Sequence, residues 1–163
     1  MDLVTRAPRL PRGGETLIGQ SFATVHGGKG ANQAVAAARL GAQVSMVGCV
    51  GSDAYGEQLR GALLAEQIDC QAVSVVDDNS QCAIVIVAGA NGALTPAVID
   101  RFDPVLQAAD VLICQLEVPD ATVGHALKRG RELGKTTILN PAPASRPLPA
   151  DWYAAIDYLI PNE

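Results

Sequence analysis

The chain has 163 residues, enough for one domain with a sizeable core. Hydrophobic residues make up 48% and aromatics only 4%, so the core must be built from Ala, Val, Leu and Ile, which favours a parallel α/β sheet over an aromatic-rich sandwich. The net charge of −5, with no block of Lys or Arg, argues against a nucleic-acid or membrane-surface partner, and no apolar run reaches the roughly 18 residues of a membrane span. The N-terminal "MDLVTRAPRLPRGGE" has no apolar stretch of signal-peptide length. Four cysteines (Cys49, Cys70, Cys82, Cys114) lie far apart and form no CxxC. They read as small hydrophobes in a reducing, cytoplasmic setting rather than as metal ligands or a disulfide framework.

The first strong local signal is "HGGKGANQAVAAARLG", His26 to Gly41: three glycines framing a lysine, then an alanine-rich run. The spacing predicts a helix over "ANQAVAAARLG" that ends at Gly41 as a C′ residue. "QVSMVGCVGSD" reads as a strand and turn, and "AYGEQLRGALLAEQ" as a helix with Leu59, Leu63 and Leu64 on one face. "QAVSVV" and "CAIVIVAG" are short and β-branched, hence strands, with "DDNS" between them. "TPAVIDRFDPVLQAA" predicts a helix with Thr95 at the N-cap and Pro96 at the first helical position, and with Pro104 as a kink or break. Thereafter "DVLICQLE", "TTILNPAP" and "DYLIPNE" alternate as strands with the helices "DATVGHALKRGRELG" and "PADWYAAI". Strands alternating with helices of this length mean βαβ units and a parallel sheet.

In open α/β sheets, ligands bind beyond the carboxyl ends of the strands. Here "DVLICQLE" exits with Gln115 and Glu117, "TTILNPAP" with Asn140, and "DYLIPNE" with Asn162 and Glu163. Such residues also simply begin loops, but three consecutive strands ending in an amide or carboxylate point to one polar edge. The Gly-rich loop fits that edge: a helix N-terminus offers unpaired N–H groups and partial positive charge, and glycines let a ligand approach the main chain. It is neither GxxxxGK[ST] nor GxGxxG, so neither a Walker A loop nor a dinucleotide fingerprint is present. The residue types fit a polar, hydroxyl-rich ligand; the competing reading is a tight turn that lets the alanine-rich helix pack closely. His26, His125, Lys128, Arg129 and Arg131 read as surface positions.

"GGKGANQAVAAARLGAQVSMVGCVGSDAYGEQL", with "PRGGETL", "AGANGALTP", "QLEVP", "LNPAPA" and "IPNE", resembles the ribokinase (PfkB) carbohydrate kinases over nearly the whole chain. "GGKGANQA" with "NPAPA" is similar to the pentose-specific branch rather than to the adenosine, fructose or ketogluconate kinases. The resemblance implies a three-layer α/β fold, a mainly parallel sheet flanked by helices, with a small β-lid, incomplete in this chain. It places the partial domain over 1–163 and lid elements at about 15–26 and 72–88.

The implied activity is ATP-dependent phosphorylation of D-ribose to D-ribose 5-phosphate, with Mg2+ and a stimulating K+. The alternatives are a kinase for another sugar or nucleoside, or a non-catalytic sugar-binding or oligomerisation fragment. By match to the family's motifs, Asp2, Gly27, Gly28, Lys29, Gly30, Ala31, Asn32 and Glu117 are implied to bind the sugar, and Asn162 to lie near ATP phosphates and magnesium. A homodimer packed through the lids is implied too, with Leu17, Phe22 and Val25 suiting a partly covered strand. Three departures are expected to matter. Met1-Asp2 begins where the family's first strand ends, the lid segment is short by about one strand, and the chain stops inside N-x-x-E. The resemblance puts the catalytic aspartate, the anion hole and the potassium site in a C-terminal half beyond Glu163, so the chain alone is expected to be inactive.

Overall fold

The computed structural model describes residues 1–77, 89–144 and 146–162. The second predicted strand of the lid, "CAIVIV", and Glu163 lie outside the described residues.

The chain opens with a ribbon. Strand β1 (Asp2–Arg6) pairs antiparallel with β2 (Ser21–Val25), Asp2 opposite Val25 and Arg6 opposite Ser21. Both strands are exposed along their whole length, with Leu3, Val4, Phe22 and Val25 among the exposed large hydrophobics. β1 had no counterpart in the predicted elements. Of the sequence span 15–26, residues 21–25 form β2; of the span 72–88, residues 73–76 form a strand of a different, parallel pair.

Helix α1 (Lys29–Arg39) begins two residues before the predicted Ala31 and takes in Gly30, and Gly41 takes the positive φ of +92° that a C′ residue needs. Strand β3 (Gly48–Gly51) is shorter than "QVSMVGCVGSD" suggests, because Ser45 makes only an isolated bridge to Asp69. Helix α2 (Ala54–Ala65) starts under the Asp53 carboxylate, which accepts from the Gly56 N–H at 2.8 Å. Gly56, Leu59 and Leu63 form its inner face, while Leu64 is 48% exposed, so the predicted Leu64 contact is not made. A Cβ on Gly56 would fall inside the Gly51 carbonyl, which fixes how closely α2 crosses β3. β4 (Val73–Val76) pairs with β3 in parallel.

Pro104 breaks the next helix rather than kinking it: α3 (Pro96–Arg101) and α4 (Asp103–Ala108) are separated at Phe102. Thr95 occupies the N-cap with extended backbone but makes no side-chain cap bond. β5 (Val111–Cys114), α5 (Asp120–Glu132), β6 (Thr136–Leu139) and β7 (Tyr158–Leu159) then form a three-stranded parallel unit in the order β5-β6-β7. The segment "PADWYAAI" is a 3-10 turn, Ala150–Ala155, rather than an α-helix.

Strand alternation decides where the core sits. Leu139 and Thr137 of β6 are fully buried, and Leu139 packs with Leu127 of α5 and Trp152 of the 3-10 turn. On β5, Leu112 and Cys114 pack towards α4 and α5 with Leu106 and Ala126. A third cluster joins α1, α2 and β4 through Ala34, Leu63, Ile68, Cys70 and Val73. The Thr137 hydroxyl donates to the Ala155 carbonyl at 2.6 Å, so a polar core residue is satisfied internally. The basic residues of α5 lie on the solvated face as expected, Lys128 and Arg131 exposed and Arg129 half-buried, and pair there with neighbouring elements: Lys128 with Asp151, Arg129 with Asp103 and Arg131 with Asp157.

Candidate functional site

The parallel register puts the exits of β5, β6 and β7 on one edge, as the sequence pattern anticipated. Gln115 and Glu117 leave β5 there, Asn140 leaves β6, and Asn162 follows β7.

Gly28 is the residue that lets the loop meet this edge. At φ +96° and ψ 127° it occupies a conformation that side chains rarely adopt, and it stands at the N-cap of α1 with no side chain to cap it. The cap comes from another part of the chain. The Lys29 N–H donates to Glu117 Oε2 at 2.7 Å, 88 residues away in sequence. A carboxylate at a helix N-terminus is the favoured sign of charge, because it meets unpaired donors and the positive end of the helix dipole.

Two further contacts complete the cluster. The Asp2 carboxylate lies against the Gly27 Cα, where a Cβ would collide with both oxygens, so the end of β1 and the loop are in contact. Gly27 is buried there. Gln115 Nε2 donates to Gln33 Oε1 on α1. Gln115 Oε1 sits 3.0 Å from where a Cβ of Gly30 would be, with Met46 Cε at 3.3 Å. Asp2, Gly27, Gly28, Lys29, Gly30 and Glu117 are thereby brought together, with Ala31 and Asn32 in the same first turn of α1, where the Asn32 N–H donates to the Gly28 carbonyl at 2.9 Å. Lys29, Gly30, Ala31 and Glu117 are half-buried, and Asp2 and Asn32 are exposed.

Asn162 stands apart. It is exposed, two residues beyond the Ile160 N–H that donates to the Leu139 carbonyl at 2.9 Å. It shares the edge with the loop but not its contacts. Gln33 was absent from the predicted site, although it lies one helical turn from Lys29, a spacing readable from the sequence.

Asn140 shows a different signature. Its N–H donates to the Cys114 carbonyl at 3.0 Å, while its Oδ1 is buried with no hydrogen-bond partner. Burial of the Cys114 sulfur at this strand end pushes its thiol up to about 12, which keeps it protonated and unreactive at neutral pH. Cys49, Cys70 and Cys114 are free.

Chemically, the arrangement gathers two carboxylates, one ammonium, one amide and a helix N-terminus around a glycine-lined approach. Carboxylates accept from hydroxyls, and the ammonium and amide donate to them. Among the described residues no group of three or more His, Cys, Asp or Glu is placed to hold a metal ion, and no helix is long and apolar enough to cross a membrane.

Comparison with known proteins supplies the context. The family described as pfkB family carbohydrate kinase matches residues 1–163. A ribokinase of Bacillus subtilis (strain 168) is 42% identical over 174 residues, spanning 100% of this chain and 59% of the relative. A deoxyribokinase of Salmonella typhi is 38% identical over 175 residues, spanning 100% and 57%. Among solved structures, Arabidopsis thaliana ribokinase complexed with ribose and ATP superposes with a TM-score of 0.87 at 30% identity, covering 99% of this chain and 56% of that one. The chain thus spans less than three-fifths of the length of these relatives.

Proposed function

Because the chain belongs to the pfkB family of carbohydrate kinases, we propose that it carries the sugar-recognising side of an ATP-dependent kinase that converts D-ribose to D-ribose 5-phosphate. The observation that carries this reading is the convergence of Asp2, Lys29 and Glu117 on the glycine-lined N-terminus of α1. A pentose presents several hydroxyls, each both donor and acceptor. Asp2 and Glu117 accept from them, while the Lys29 ammonium and the Asn32 amide donate. Gly28 is exposed, with only the Glu117 carboxylate near its missing Cβ, so the ring approaches the main chain there, while Gly27 and Gly30 make room for Asp2 and Gln115. Fixing the ring in this way orients its hydroxymethyl group, and phosphoryl transfer depends chiefly on such positioning.

ATP is the proposed phosphate donor, with Asn162 beside its phosphates and Mg2+ and K+ as the accompanying ions. The catalytic base implied by the family resemblance belongs to the portion of the relatives that this chain does not span. The protein is proposed to work in the cytoplasm, consistent with free Cys49, Cys70 and Cys114 among the described residues, and as a homodimer joined through the β1–β2 ribbon, whose exposed Leu3, Val4, Phe22 and Val25 suit such a cover.

A second reading, 2-deoxyribose as the acceptor, is favoured by the deoxyribokinase relative at 38% identity. Titration calorimetry of the 163-residue polypeptide with ribose and 2-deoxyribose tests both. Saturable ribose uptake stronger than 2-deoxyribose uptake supports the first reading. The reverse order supports the second, and uptake of neither overturns both for this polypeptide.

A further inference from the structure

Two side chains leaving one strand grip one turn of one helix. Where β5 ends, Gln115 reaches Gln33 and, two residues on, Glu117 reaches the Lys29 N–H. β5 ends at Cys114 and the chain bends over 116–118, which sets Gln115 and Glu117 against residues four apart on α1, about 6 Å along the helix. Both rungs thus close on one turn of α1. Gly30 lies between the rungs, and its missing Cβ is what gives the Gln115 carbonyl room, at 3.0 Å from the vacant position.

We infer that Gln115 and Gln33 are positioning residues for the sugar-binding loop: together with Glu117 they form a two-rung clamp that sets the first turn of α1 against the exit of β5. The inference rests on the ribose reading for its purpose but not for its geometry. Ala34 anchors the middle of α1 in the core, and Glu117 alone would tie its first turn through one hydrogen bond. The Gln33–Gln115 rung adds a second tie and sets the main chain of Lys29 and Asn32 against the exit of β5. Neither glutamine belongs to the residues that the family resemblance assigns to the sugar.

Amide hydrogen exchange on the 163-residue polypeptide reads the clamp directly, because the Lys29 N–H is one of its bonds. Gln115→Leu and Gln33→Ala each remove the second rung, and alanine suits the half-buried helical position 33. Both are expected to speed Lys29 exchange about fivefold, the factor set by one neutral hydrogen bond, without a matching change in the exchange of buried Leu127 or Leu139 amides. Gln33→Glu keeps an acceptor for Gln115 Nε2 and is expected to retain the slow Lys29 exchange. Unchanged Lys29 exchange in Gln115→Leu, or equal loss in Gln33→Glu and Gln33→Ala, overturns the clamp.

A ribose titration separates the clamp from the reading beneath it. If the unmodified chain takes up ribose, Gln115→Leu is expected to weaken uptake about fivefold, and unchanged affinity would overturn the positioning role. If the unmodified chain takes up none, the ribose reading fails for this polypeptide while the exchange measurement still decides the clamp.

Discussion

The Glu117 carboxylate accepts a hydrogen bond from the Lys29 main chain at 2.7 Å, joining two residues that lie 88 positions apart. The contact is local chemistry with a long-range consequence. It ties the exit of β5 to the start of α1, and so assembles a site from the two ends of the chain.

Replacing that carboxylate should therefore cost both a cap and a ligand contact. Glu117→Ala is expected to weaken ribose binding by about tenfold or more, the range for a hydrogen bond to a charged group. Glu117→Gln should fall between the two, since it keeps an acceptor but not the charge favoured at the helix N-terminus. Calorimetric titration of the three proteins checks the order.

Catalysis is a separate matter from recognition. The 163-residue polypeptide, supplied with MgATP and ribose, is expected to release no ADP above the background of its ribose-free control. Asp2 and Glu117 are proposed to bind the sugar, and neither is proposed as the base that the family resemblance implies. A coupled assay showing ribose-dependent ADP release would place a working base among the residues described above, with Asp2 and Glu117 the first to test.

Gly56→Ala should destabilise the fold by about 1–3 kcal/mol, the range for overpacking. Its Cβ would enter the space of the Gly51 carbonyl, which is main chain and has no rotamer to yield. The midpoint of urea unfolding measures the loss. Gly61→Ala, at a helical position where a Cβ meets nothing within 4 Å, serves as the control and should not lose stability.

Thr137→Val keeps the β-branched shape of a fully buried residue and deletes its hydroxyl. That hydroxyl donates to the Ala155 carbonyl at 2.6 Å and receives the Asp157 N–H at 3.2 Å. The change strands the Ala155 carbonyl, while the Asp157 N–H keeps the Thr137 carbonyl at 3.0 Å, and it is expected to cost about 1–3 kcal/mol in the same unfolding measurement.

Acid should weaken the α4–α5 junction. Arg129 grips both Asp103 oxygens, at 2.7 and 2.9 Å, and with help from Gln107 lowers the Asp103 carboxyl from 3.8 to about 2. Folding therefore favours the ionised form. The stabilisation is fully present above about pH 4 and is lost as pH falls through about 2. Asp103→Asn should be less stable than the unmodified chain at pH 6, with the gap closing as the pH approaches 2. A gap that stays constant over that range would mean that this pair does not govern the acid response.

Much of this was readable before any coordinates. Gly41 predicted where α1 ends, and the polar strand exits predicted a shared edge, because both are local patterns. What escaped depends on pairing between distant segments. β1 is a five-residue strand whose partner begins fifteen residues after it ends, and nothing in "DLVTR" names that partner. "VSVV" reads equally well as a lid strand or a sheet strand, and only its register with β3 decides. Leu64 fits the apolar stripe of α2 by spacing, yet the helix is rotated so that Gly56 and Leu63 take the inner face. Gln115 is readable as a polar strand exit, but its partner Gln33 emerges only when the fold sets the two side by side.

The cations of α5 carry one last implication. Lys128, Arg129 and Arg131 are each held by a carboxylate from a different neighbour, and Lys135, just beyond the helix, is held by the Gln107 carbonyl. To an approaching polyanion this flank therefore offers closed pairs rather than a stripe of open positive charge, so little counterion release is available to drive association. The same pairs bind α4, the 3-10 turn and β7's entry to a single helix, which makes α5 the common fastening of the C-terminal strands.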